Sequence, residues 1–217
     1  AGPKAESIQV IYEVFSLPLT EAAAILRSAP ADTAFYQKMV EGVRAKKVSL
    51  EVFLMGRGVS GQRIIVEQVA EHIYATEFEP PELPNQTSGG AGFRQDAKGK
   101  VHPAAFPVTP ATPTSFDTRK VGDTIELEIA LDQNRVYADI RFSAWTTAFI
   151  QRDVHGQGMA KTEMPRFSNQ QINGGITAVR GLPTFLGTIS PPEELQPANN
   201  DEENVWFAFV TTKLVAQ

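Results

Sequence analysis

Ile125, Leu127, Ile129 and Leu131 alternate with Glu126, Glu128 and Ala130, and after Asp132-Gln133-Asn134 the same alternation returns in Val136, Ala138, Ile140 and Phe142. A spacing of two puts one set of side chains on a core face and leaves the carboxylates in water. Asp and Asn bond their own backbone and tolerate turn conformations, so the interruption reads as a tight turn. This is an antiparallel hairpin with one buried face, and Trp145 and Phe149 extend its second strand. A buried face needs a covering layer, which two packed antiparallel sheets supply.

The flanking segments agree with a β-rich chain. Residues 7–16 are rich in β-branched and aromatic types and read as a strand that Pro18 ends. Thr20 precedes a short Ala-rich helix carrying Ala22, Ala23 and Leu26. Pro30 separates it from a second helix, capped by Asp32 or Thr33, with Phe35, Met39, Val40 and Val43 on one face. That apolar stripe reads as core packing, and Gly42 weakens the helix near its end. The helical insertion spans about 19–46. Residues 48–55 and 62–76 read as two strands around the glycines 56, 58 and 61, a pattern that predicts a hairpin. Residues 166–179 and 182–189 read as two more, joined by Arg180-Gly181. The apolar run 205–215 reads as a strand central in its sheet.

Residues 80–116 differ in character. Seven prolines and four glycines fall there, and proline fixes φ and removes a donor, so no regular element is expected through the stretch. It reads as a long Pro/Gly-rich ordered loop within one domain spanning 1–217. Phe106 and Phe116 are its anchors or a partner-binding surface. Asn85-Gln86-Thr87 is a glycosylation sequon only in a host with that machinery.

The sharpest chemical motif is Gly56-Arg57-Gly58-Val59-Ser60-Gly61, which follows a strand and matches G-x-G-x-x-G. In a dinucleotide site such glycines let a pyrophosphate approach a helix N-terminus, and Ile64, Ile65, Val69 and Ile73 fit one helical face. Against this, the motif lies over fifty residues into the chain, and Tyr74 to Pro81 is too short and proline-broken for the second buried strand. The hairpin turn is the preferred reading. Ser60 resembles part of a nucleophile elbow, but the full G-x-S-x-G is missing. His72, His102 and His155 are far apart and lack metal spacing. Glu126 and Glu128 lie on one solvated strand face, and nothing marks a facing glycosidase pair. No catalytic, cofactor or metal residue is assigned.

Composition narrows the classes further. The 217 residues are 42% apolar and 21% charged, ordinary for a globular domain, with no apolar run near the length of a membrane-spanning helix. A net charge of −5 without a basic cluster argues against nucleic acid as partner. The absence of cysteine excludes thiol catalysis, disulfides and cysteine-ligated metals. The start, Ala-Gly-Pro-Lys-Ala-Glu, has no basic or apolar leader region; it fits a mature terminus after signal removal or an arbitrary boundary.

Several stretches carry a family resemblance. Gly58 to Arg63 and Glu71 to Pro81 resemble envelope proteins of the Verrucomicrobia. Val121-Gly122-Asp123-Thr124 with the alternation after it is similar to a secretin strand. Pro165-Arg166-Phe167, Gly174 to Pro183 and Phe185 to Ile189 resemble the secretin strand, tight turn and strand, and Val205 to Thr212 resembles the closing strand. The long alternating hairpins of a secretin pore are absent from the sequence as read. Overall the chain resembles surface proteins of type IV pilus gene clusters of the Akkermansia type. That resemblance implies an immunoglobulin-like sandwich and a pilus context, with no catalytic residue to carry over.

The expectation is therefore a mainly β, immunoglobulin-like antiparallel sandwich with a short N-terminal helical pair. Its function would be non-enzymatic, a structural or interaction role in pilus or secretion machinery. The chain would be exported to the periplasm, outer membrane or cell surface. Its partners would be envelope proteins of that machinery, with self-association beside them. One rival is a carbohydrate- or mucin-binding adhesin using Trp145 or Phe116 on a glycan. The other is a nucleotide-binding enzyme using Gly56 to Gly61.

Overall fold

A computed structural model describes residues 7–82, 93–95, 97–103, 109–192 and 203–215. Asn85, Thr87 and Phe106 lie outside these. Among the described residues ten strands and two α-helices follow in chain order: β1 (Ser7–Pro18), α1 (Leu19–Arg27), α2 (Asp32–Arg44), β2 (Ser49–Gly58), β3 (Arg63–Glu79), β4 (Phe93–Gln95), β5 (Val101–Pro103), β6 (Thr112–Leu131), β7 (Tyr137–His155), β8 (Thr162–Val179), β9 (Pro183–Ile189) and β10 (Asn204–Val215). Sheet I has the order β2-β1-β10-β9 and sheet II the order β3-β6-β7-β8, while β4 and β5 pair alone. The expected sandwich with a small helical part is present.

The chain divides into two compact units. The first holds residues up to Ala70, Lys120–Ile150 and Phe167 onward; the second holds Glu71–Arg119 and Gln151–Arg166. Strands β3, β6, β7 and β8 supply residues to both.

In the first unit, β1 and β10 are the inner strands of sheet I, antiparallel in register from Ser7↔Val215 to Pro18↔Asn204. Both are apolar on both faces. Val10, Tyr12, Val14, Trp206, Ala208 and Val210 join Ile64, Ile125, Leu127, Ile129 and Ile140 of sheet II in one core. Phe15, Leu17, Phe207 and Phe209, on the other face, join Ala22, Phe35 and Met39 of the helices in a second core. This explains the unbroken apolar run in β10: alternation is lost where both faces are covered. The β6–β7 hairpin keeps its alternation because Ile125, Leu127, Ile129, Ala138, Ile140, Phe142 and Ala144 turn inward. Its outer face is a polar ladder, with Arg63 on Glu126 and Thr177 Oγ1 donating to Asp139 at 2.6 Å.

Helix α2 is anchored by rings. Phe35 meets Phe207, Phe209 and Phe185 edge-on, with centroids 5.1–5.2 Å apart. Asp32 does not cap the helix. Ala31 is the N-cap, and the Asp32 carboxylate accepts the Phe185 N–H of β9 at 3.0 Å, tying the helix to the sheet edge. In α1 only Ala22 is buried, and Leu26 is 41% exposed rather than core. A second polar contact joins α2 to the sheet: the Tyr36 hydroxyl donates to Glu13 at 2.7 Å.

One pairing expected from the sequence is corrected. β2 and β3 do not form a hairpin, since β2 is an outer strand of sheet I and β3 an outer strand of sheet II. β8 and β9 likewise belong to different sheets. Each of these turns is an arch that carries the chain from one layer to the other. The long-strand expectation also changes. β3, β6, β7 and β8 run 17, 20, 19 and 18 residues, although inward alternation is clean only in part of each.

The second unit contains the described part of the Pro/Gly-rich stretch. Regular structure does enter it: β4 and β5 pair antiparallel, and β6 begins at Thr112. Proline is tolerated because Pro103 ends β5 and Pro113 stands second in β6, positions where a missing donor costs little. The Thr109 N–H donates to the Glu82 carbonyl at 3.1 Å, and the Ala111 N–H to the Met159 carbonyl at 2.8 Å.

Truncating Phe35 to Ala is expected to cost about 3–5 kcal/mol in chemical denaturation, whereas Leu26→Ala stays within about 0.5 kcal/mol. Burial holds the Glu13 carboxyl above the usual carboxylate range, although the Tyr36 hydrogen bond and the Lys213 charge pull it down. The folded protein thus binds this proton more tightly than the unfolded chain. The stability it contributes is full below the ordinary value of 4.5 and is lost as pH rises through the raised one. Glu13→Gln, a mimic of the protonated form, is expected to raise the melting temperature at about pH 7 and to leave it unchanged well below 4.5.

Candidate functional surfaces

The glycine motif performs a packing role. Val59 to Gln62 is the first arch, closed by the Gln62 N–H on the Val59 carbonyl at 3.1 Å. A Cβ on Gly58 would stand 2.3 Å from Ile64 Cγ1, and one on Gly56 2.3 Å from Val66 Cγ2. The two glycines let side chains of β3 press directly on the backbone of β2. Gly61 has φ +78°, which a turn of this hand requires. Its N–H donates to the Ile129 carbonyl at 2.8 Å. Ser60 Oγ accepts the Leu131 N–H at 3.1 Å and so ties the turn to the end of β6.

The nucleotide reading of Gly56 to Gly61 is thereby corrected. Residues 63–79 are a strand, so no helix N-terminus faces the glycines, and Ile64 and Val66 fill the space a pyrophosphate would need. The same end of the unit holds a cleft of about 360 Å3 beside Ser60, Asp132 and Arg135. The Asp132 carboxylate is already engaged there: one oxygen accepts the Val136 and Tyr137 N–H groups at 2.7 and 2.9 Å.

His72 lines a cleft in the second unit, His155 ends β7, and His102 belongs to β5. Among the described residues no group of three His, Asp or Glu side chains is placed to hold a metal. Glu126 is held by Arg63, and Glu128 has Arg141 at 3.9 Å, so both sit in the outer ladder. Asp123 receives the Thr146 hydroxyl at 2.6 Å. Burial pushes the Asp123 carboxyl up, and with it the nearby Glu51 and Tyr12, whose rise the Asp123 charge reinforces. Trp145 pairs opposite Thr124 and is half-buried in the first unit, whereas Phe116 is 61% exposed in the second.

Sequence reasoning missed a surface on β2. The register of β2 against β1 shifts between Val14 and Phe15, so that Val14 faces Val52 and Phe15 faces Leu50. Glu51 is the extra residue. The bulge turns Leu50 to the side already occupied by Phe53 and Met55, and these three are 42%, 52% and 51% exposed. A signal was available: β2 carries large apolar residues at both parities, Val52 and Leu54 as well as Phe53 and Met55. One set fills the core and leaves the other outside.

No family model and no curated protein matches the chain. Among solved structures it is similar to PilQ, the secretin of the V. cholerae type IV competence pilus, at 11% identity and TM-score 0.40, over 98% of this chain and 62% of that one. It is also similar to the ETEC pilotin–secretin AspS–GspD complex, at 10% identity and TM-score 0.43, over 99% and 50%. InvG, the Salmonella SPI-1 injectisome secretin, overlaps at 8% identity and TM-score 0.42, over 99% and 66%. The chain spans about half to two thirds of the length of these chains.

The packing role of the motif is checked by substitution. Gly58→Ala forces a methyl into Ile64 and is expected to cost about 1–3 kcal/mol, and Gly61→Ala about 1 kcal/mol through its positive φ. Millimolar dinucleotide is expected to leave the melting temperature of the native protein unchanged, and a rise would restore the cofactor reading.

Proposed function

We propose that the chain is a non-enzymatic structural component of an exported envelope assembly of the pilus or secretion kind. It works through contacts with partner proteins and with copies of itself. The observation that carries this reading is the outer edge of sheet I. Among the described residues β2 ends the sheet, and its outward face presents Leu50, Phe53 and Met55 to solvent. An outer strand has backbone donors and acceptors free to pair with another strand, and an apolar row beside it adds burial on contact. Such an edge is a liability for an isolated molecule and an asset for an assembling one.

The residues that resemble secretin strands add support. Pro165 to Ile189 form β8, the second arch and β9, and Val205 to Thr212 lie in β10. The family-like strands are thus the framework on which the sandwich is built, and not a peripheral insertion. Secretin assembly, the context of the solved structures named above, is the setting proposed. In it this chain occupies the periplasm, the outer membrane or the cell surface.

Cross-linking on intact native cells, followed by pull-down and mass spectrometry, tests the reading. Recovery of pilus or secretion components is expected. A variant with Phe53→Lys and Met55→Lys, both exposed and expected to fold normally, should lose most of that capture. Recovery of cytosolic metabolic proteins alone, or undiminished capture by the variant, would overturn the proposal.

A further inference from the structure

The second unit holds a cleft of about 260 Å3 with walls from β3, β6, β7 and β8. Phe116, Tyr74 and Phe78 give it aromatic surface, and Arg152, Lys161 and Glu163 give it charge. A single exposed Phe is ordinary on a protein surface. Phe116 differs because it stands in a concavity on which charged side chains converge, the composition of small-ligand sites. The volume falls just below the usual range of roughly 300–1,000 Å3 for drug-sized ligands, which suits a single ring.

The charges favour an anion. Arg152 and Lys161 share one carboxylate: Lys161 Nζ is 2.9 Å from Glu163, and the Arg152 guanidinium is 3.8 Å from its other oxygen. These pairs are exposed, so little free energy opposes their rearrangement. The neighbouring acids are engaged elsewhere. Asp117 receives the Tyr74 hydroxyl at 3.3 Å, and Asp153 is held by Arg166 at 2.9 and 3.0 Å. At 3.8 Å the Arg152–Glu163 ion pair is long and exposed, so the guanidinium can turn its fork to a second, bidentate carboxylate. Lys161 donates and Glu163 accepts, so the pair can hold vicinal hydroxyls at the rim.

We propose that this cleft binds an acidic sugar, a hexuronate unit of a polysaccharide, with the ring lying on Phe116 and the carboxylate on Arg152. A ring with C–H bonds on one face matches the negative face of an aromatic. Neutral sugars lack the group that Arg152 selects, and aromatic acids lack the hydroxyls. The inference goes beyond the assembly reading and does not depend on it.

Saturation-transfer NMR and titration with glucuronate test it, with glucose and benzoate as controls. Saturation transfer to glucuronate is expected, with glucose about tenfold weaker, the scale of one lost charge-assisted hydrogen bond. Arg152→Gln should cost a similar factor, and Phe116→Ala should abolish transfer to the ring protons. Both side chains are largely exposed, so unchanged melting temperatures would show that lost binding reports on the site and not on the fold. Absence of transfer to glucuronate, or transfer indifferent to both variants, would overturn the proposal. So would benzoate binding as well as glucuronate, which would assign the cleft to aromatic acids.

Discussion

Two adjacent strands, β1 and β10, are buried on both faces, and the other layers of the first unit exist to cover them. Water is excluded on one side by sheet II and on the other by the helices. At about 25 cal/mol per Å2 of apolar surface removed from water, a residue such as Phe207 or Phe15 is held far more strongly than any exposed ion pair in the molecule. The helices contribute rings and not caps: neither α1 nor α2 has a side-chain hydrogen bond at its N-cap. They persist because Phe35 is locked among the phenylalanines of β9 and β10, in keeping with the rule that tertiary packing, more than propensity, sustains short helices. Against that apolar layer the Tyr36–Glu13 and Asp32–Phe185 contacts are polar, and burial raises the Glu13 carboxyl.

Closing the sandwich requires the chain to change sheets, and the glycines serve that need. The arch at Val59–Gln62 joins two outer strands, as does the arch at Val179–Leu182, where the Gly181 N–H bonds the Thr212 carbonyl at 2.7 Å and the Arg180 N–H the Val136 carbonyl at 2.9 Å. The arches are therefore tied to the ends of the inner strands. Close approach of β3 to the backbone of β2 leaves no room for a Cβ at Gly56 or Gly58. A spacing that in another fold admits phosphate here admits isoleucine and valine.

Much of the fold was legible because burial on one face leaves a period. The β6–β7 hairpin, with Ile125 to Leu131 against Ala138 to Phe142, could be read directly. The amphipathic stripe of α2 and the inner position of β10 followed from their patterns as well. Partner choice was not legible. A Gly-rich turn between two β-branched runs looks the same whether it closes a hairpin or an arch, since the difference lies in which distant strand supplies the hydrogen bonds. The bulge at Glu51 was hidden for a related reason: a one-residue shift is invisible without the opposing strand, yet it sets the side on which Leu50 emerges. Of the cleft residues, Lys161 and Glu163 stand two apart at the start of β8 while Arg152 comes from β7, so no single spacing joins the three.

The register of β1 against β10 joins residues as far as 208 positions apart, the separation of Ser7 and Val215. The centre of sheet I therefore forms only after nearly the whole described chain is available. Contacts of this range make folding slow, because loop closure must precede the burial that rewards it. Until β10 arrives, β1 offers an apolar strand without its principal neighbour, a state prone to wrong pairing. The sheet therefore has a single decisive pairing: whatever delays β10 leaves both apolar layers of β1 uncovered at once.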